Sequence, residues 1–175
     1  MADGILKVGT ITTSSGSGTI NLGASGETIT SSAVMGSGMG KVLQVVSATY
    51  GTQESTSSTS FVATSLTASI TPASTSNKVL IMVSGTETAS NNLSHCITTI
   101  YRDGTTNLGD SSYGISYAYS GAGSAHSGIS MNYLDSPSTT SSTEYKMYFR
   151  GSAAHAQYVQ NAGALSTIIL MEIAG

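Results

Sequence analysis

Phe61-Val62-Ala63-Thr64-Ser65-Leu66-Thr67-Ala68-Ser69-Ile70 carries Phe61 and Ala63, then Leu66, Ala68 and Ile70, at a period of two. That period is the signature of a half-buried β-strand, and Thr71-Pro72 stops it. The same texture continues outward. Upstream, 41–49 (KVLQVVSAT) is rich in Val and reads as a strand, and 54–60 is a polar loop. Downstream, 78–83 (KVLIMV) is a continuous apolar run, read as a buried sandwich strand, and 96–101 is the next strand. Arg102-Asp103-Gly104-Thr105 supplies an Asp-Gly hairpin turn. Tyr113, Ile115, Tyr117 and Tyr119 alternate on one face of 113–119, 121–127 is a loop, and 129–134 is a further strand. Tyr145, Met147 and Phe149 oppose Lys146 and Tyr148, and 166–173 (STIILMEI) closes the chain as a last strand. About eight to ten strands at regular spacing, with no convincing helix, predict an all-β, antiparallel β-sandwich of the jelly-roll kind over 41–175.

Composition agrees. Only 9% of the 175 residues are charged, against about 25% in typical soluble domains. Ser and Thr make up roughly a third of the chain, with 20 Gly, two Pro and no Trp. A net charge of −3 is too small to drive disorder, and the side chains that favour exposed helices are scarce. So few charges protect a monomer poorly against association, so controlled oligomerisation or packing into a particle is expected. Six Lys and Arg are spread out, which argues against nucleic-acid binding. No stretch reads as a signal peptide or a membrane span. The lone Cys96 is expected to be a small core residue rather than a reactive thiol, consistent with assembly in a reducing cytoplasm.

Residues 1–40 have a different character. Gly9-Thr10-Ile11-Thr12, Gly18-Thr19-Ile20-Asn21 and Glu27-Thr28-Ile29-Thr30 repeat every nine residues, with Ser/Gly/Ala-rich spacers. One large apolar residue per rung is too sparse a core for a single chain, because repeat units need stacked neighbours. The segment is therefore expected to be an extended β stem or arm that orders against other copies or a larger assembly. Ile11, Ile20 and Ile29 would turn toward a shared axis. Met35-Gly36-Ser37-Gly38-Met39-Gly40 is a Gly-rich hinge to the 41–175 head.

Several phrases resemble virion appendage proteins of tailed bacteriophages, especially aquatic ones. They are Gly4-Ile5-Leu6-Lys7-Val8-Gly9-Thr10-Ile11, Lys41-Val42-Leu43-Gln44-Val45-Val46, and Ser69-Ile70-Thr71-Pro72-Ala73-Ser74-Thr75-Ser76-Asn77-Lys78-Val79-Leu80. Tyr133-Leu134-Asp135-Ser136-Pro137 and the ending Thr167-Ile168-Ile169-Leu170-Met171-Glu172-Ile173-Ala174 complete the set. The resemblance implies a homotrimer with an intertwined stem and a jelly-roll head similar to the C1q and tumour-necrosis-factor type. It further implies attachment to other virion proteins through 1–40 and a place in the virion. The chain is short for a long tail fibre, which keeps a capsid-decoration or head-fibre protein as the alternative.

No arrangement of residues points to catalysis or a cofactor. Asp103, Asp110 and Asp135 invite a calcium or glycosidase reading, but Asp103 and Asp135 sit in turn phrases that explain them locally. His95, His126 and His155 lack zinc spacing. There is no nucleophile elbow, and Gly121-Ala122-Gly123 opens no phosphate-binding helix. The expected class is thus a non-enzymatic structural protein without metal or cofactor, with a carbohydrate-binding module as the competing class. Tyrosine combines rigid contact area with a polar tip. Tyr113, Tyr117, Tyr119 and His126 are the candidate receptor contacts, expected on an exposed distal loop over 113–126, with a host-surface glycan as ligand.

Overall fold

A computed structural model describes residues 40–90 and 93–175. Ile11, Ile20 and Ile29 lie outside them. The described residues belong to one compact unit, Gly40–Gly175. It contains β1 (Val42–Tyr50), β2 (Glu54–Thr56), β3 (Val62–Ile70), β4 (Lys78–Ala89), β5 (Ser94–Arg102) and β6 (Thr106–Asn107). There follow β7 (Ser116–Ser120), β8 (Ala125–Asp135), β9 (Thr143–Gly151), β10 (Gln157–Val159) and β11 (Ser166–Ile173). A 3₁₀ turn at Asn161–Gly163 is the one helical element among the described residues.

Two antiparallel sheets form. In one, β1 pairs β11, β11 pairs β4, and β8 lies along the other side of β4. In the other, β3 pairs β9, β9 pairs β5, and β7 lies beyond β5. Omitting the short β2, β6 and β10, the chain has eight main strands. First pairs with last (β1–β11), second with seventh (β3–β9), third with sixth (β4–β8) and fourth with fifth (β5–β7). That nested pairing is the jelly roll.

Period-two alternation builds the core. Leu66, Ala68 and Ile70 of β3 and Tyr145, Met147 and Phe149 of β9 meet Val79, Ile81 and Val83 of β4 and Ile168 and Leu170 of β11. Cys96 is buried with them. Burial, reinforced by the charge of Glu87, pushes its thiol pKa well up, so it stays an unreactive core group. The Asp-Gly turn forms as expected: Asp103 and Gly104 have φ of 50° and 66°, and Thr105 N–H donates to the Arg102 carbonyl at 3.2 Å.

Local readings differ at several points, and the stretch 54–60, read as a loop, contains β2. Phe61 and Ala63 do not share the core face of Leu66, because an unbroken strand cannot place odd and even residues on one side. Ala63 is exposed, and the buried Thr64 takes the core position, its Oγ1 donating to the Met147 carbonyl at 2.8 Å. The run 78–83 is not buried on both sides: Val79, Ile81 and Val83 are buried, while Leu80 and Met82 are half-buried on the outer face. The region 113–126 is not one loop. It contains all of β7 and the start of β8, and His126 belongs to β8.

Candidate functional site: the two outer faces of the sandwich

The sheets present outer faces of different chemistry. On the first sheet, cross-strand register lines up Val45, Met171, Leu80 and Leu134 in one row across β1, β11, β4 and β8. The next row is Ser47, Ile169, Met82 and Asn132. Then come Thr49, Thr167, Ser84 and Ser130. The face thus grades from aliphatic, where β1 begins, to hydroxylated. Val45 is 56% exposed and Leu134 51%, and Val42 and Leu43 are also open to solvent. Single exposed apolar residues are ordinary, but a contiguous patch marks an interaction surface.

His126 lies at the polar end of this same sheet, opposite Thr88. Its Nδ1 is 2.9 Å from Thr88 Oγ1 and 3.3 Å from Asn161 Nδ2. It is therefore on the opposite sheet from the three tyrosines.

Tyr113, Tyr117 and Tyr119 are brought together on the second sheet, around His95. Register places Tyr119 opposite His95 and Tyr117 opposite Ile97. The His95 ring centroid is 6.0 Å from Tyr113, 5.3 Å from Tyr117 and 4.7 Å from Tyr119, and Tyr113 is 5.8 Å from Tyr117. These separations suit favourable ring contacts. All three tyrosines remain about half exposed.

Local structure fixes each member. Ser152 Oγ accepts from His95 N–H at 2.9 Å and lies 3.2 Å from His95 Nδ1. Tyr113 sits in a tight loop: Asp110 Oδ1 accepts from Ser112 N–H at 2.8 Å and from Tyr113 N–H at 2.7 Å. Those two donors hold the Asp110 carboxyl below its ordinary pKa. Asp110 and Gly114 then exchange backbone hydrogen bonds, and Gly114 has φ of +62°. Arg150 of β9 braces the same loop, donating Nη1 to the Thr59 carbonyl at 2.8 Å and Nη2 to that of Ser112. Its guanidinium also lies 5.2 Å from the Phe61 ring centroid. A shallow depression beside the rings is walled by Leu93, His95, Tyr113, Arg150 and Ser152.

His95 was not among the expected contacts. Its signal is faint in sequence, since the pairing of residues 95 and 119 is set by tertiary register. The three aspartates have structural roles. Asp135 is buried and takes Arg102 Nη1 at 2.8 Å on both oxygens and the Tyr145 hydroxyl at 2.7 Å. Asp103 Oδ1 accepts from Glu144 N–H at 2.9 Å. Among the described residues no three His, Cys, Asp or Glu side chains converge.

No protein-family model and no curated protein matches the chain.

Proposed function

We propose that the chain is a non-enzymatic structural protein of a bacteriophage virion. In this reading it is a homotrimeric appendage, held to other virion proteins through 1–40 and presenting its jelly roll for host attachment. The supporting observation is the aliphatic end of the outer face formed by β1, β11, β4 and β8. A half-exposed Val or Leu covered by a neighbouring copy gains about 1 kcal/mol, and several lie side by side in one row. With few charges on the chain to oppose it, the occupant that best fits this aliphatic row is another copy of this chain, contacting it head-to-tail so that three copies close a ring. The phrases that resemble phage appendage proteins supply the virion context.

The test is the oligomeric state by light scattering of the full chain and of residues 41–175. A trimer is expected for the full chain. Val45→Asp with Leu134→Asp should shift it toward monomer while the β-rich circular dichroism spectrum persists. Monomers for both wild-type proteins would overturn the reading. Imaging the protein on the particle would then distinguish a tail position from a capsid one.

A further inference from the structure

We infer that His95, Tyr113, Tyr117 and Tyr119 form a binding platform for a pyranose sugar. The inference deepens the attachment reading by naming the ligand class and the residues.

The argument rests on the contrast between the two faces. The row of Val45, Met171, Leu80 and Leu134 offers aliphatic side chains without hydrogen-bonding groups. The platform offers ring faces together with hydroxyl tips, a histidine and, in the adjoining depression, the Ser152 hydroxyl and the Arg150 guanidinium. A partner that uses both must itself have a C–H face and hydroxyl edges. A pyranose has that form: its axial hydrogens lie on an aromatic ring while its equatorial hydroxyls reach donors and acceptors at the rim. A purely aliphatic partner would cover the tyrosine hydroxyls without giving them a hydrogen-bond partner, which costs free energy.

The rings are also held ready. Tyr117 and Tyr119 stand on a paired strand, and His95 at the hub is fixed by Ser152. Tyr113 is carried by a loop tied at Asp110 and Arg150. Little side-chain freedom remains to be lost on binding, which favours even a small ligand. Exposures of 56%, 52% and 47% for Tyr113, Tyr117 and Tyr119 leave their faces accessible. None of the three belongs to the core.

The experiment is a titration of the full chain, read by saturation-transfer NMR and tyrosine fluorescence. The probes are the methyl glycosides of glucose, galactose, mannose, rhamnose, N-acetylglucosamine and glucuronic acid, with cyclohexanol as the apolar control. At least one sugar is expected to saturate with Kd on the order of 1–10 mM per site. Tyr117→Ala and Tyr119→Ala should each weaken it about tenfold or more, while Tyr117→Phe stays within about threefold. The oligomeric state and the β-rich circular dichroism spectrum should not change. Saturation by none of the sugars, binding untouched by both alanine variants, or cyclohexanol binding as tightly as the best sugar would each overturn the inference. One protomer suffices for this measurement, so it can fail while the trimer stands, and the reverse. Three copies would raise the avidity for a glycan-coated surface without any new contact.

Discussion

Glu87 and Glu172 are both buried carboxylates on the β4–β11 sheet, and their surroundings push them in opposite directions. Burial raises the Glu87 pKa from 4.5 to about 7, although the Ser116 and Thr98 hydroxyls donate to it at 3.0 and 3.1 Å. Burial alone would also raise Glu172, but N–H donors from Gln44, Asn77 and Ala73 outweigh it and hold the carboxyl below its ordinary value. The folded chain thus keeps the Glu87 proton to a higher pH than the unfolded chain does. Its contribution is complete below pH 4.5 and is lost as pH rises through about 7, a difference of about 3 kcal/mol at most. Glu172 has the opposite sign, losing its contribution as pH falls below the ordinary carboxylate range. Urea unfolding of the wild type should therefore weaken between about pH 5 and about pH 8, and Glu87→Gln should flatten that slope and be the more stable protein at the upper end. A slope equal in both proteins would show that Glu87 is not its source. Neither environment was legible in the sequence, because the serine, threonine and asparagine partners come from distant strands and loops.

Elements followed the sequence where alternation was uninterrupted. β11 spans Ser166–Ile173, the boundaries read from STIILMEI, and β9 alternates as its Tyr145, Met147, Phe149 pattern predicts. The reading slipped where a loop resets the parity. Tyr113, Ile115, Tyr117 and Tyr119 look like one face, but the strand begins only at Ser116. Ile115 packs against the core instead. Gly114, at positive φ, makes this reset possible. A Cβ there would collide with the Thr98 carbonyl oxygen, and the backbone conformation itself disfavours a side chain. Gly114→Ala is expected to cost about 2 kcal/mol and to displace Tyr113 from the rings. Proton NMR of the tyrosine rings should show the Tyr113 resonances shifting most, and unchanged tyrosine spectra with unchanged stability would refute this role for the loop.

At the scale of the whole molecule, the jelly roll provides two broad outer faces, one grading from aliphatic to hydroxylated and the other carrying an aromatic cluster. In the proposed trimer, the repeats around Ile11, Ile20 and Ile29 and the 41–175 unit are separate candidates for holding the copies together. Replacing Ile11, Ile20 and Ile29 with Ser should lower the trimer's melting temperature if the rungs contribute. Unchanged melting, combined with monomers from Val45→Asp and Leu134→Asp, would assign trimerisation to the head alone. The sequence by itself determined the all-β class and most strand positions, because period-two burial and turn chemistry are local properties of the chain. It also singled out Tyr113, Tyr117 and Tyr119, whose rings gather around His95, because closely spaced tyrosines stand out in a chain with no Trp. Only the tertiary structure decided that His95 joins them and His126 does not, and that Leu80 and Met82 line up with Val45, Met171, Ile169 and Leu134. Those groupings depend on the register between strands far apart in the chain, and register is fixed by packing the two sheets over a common core.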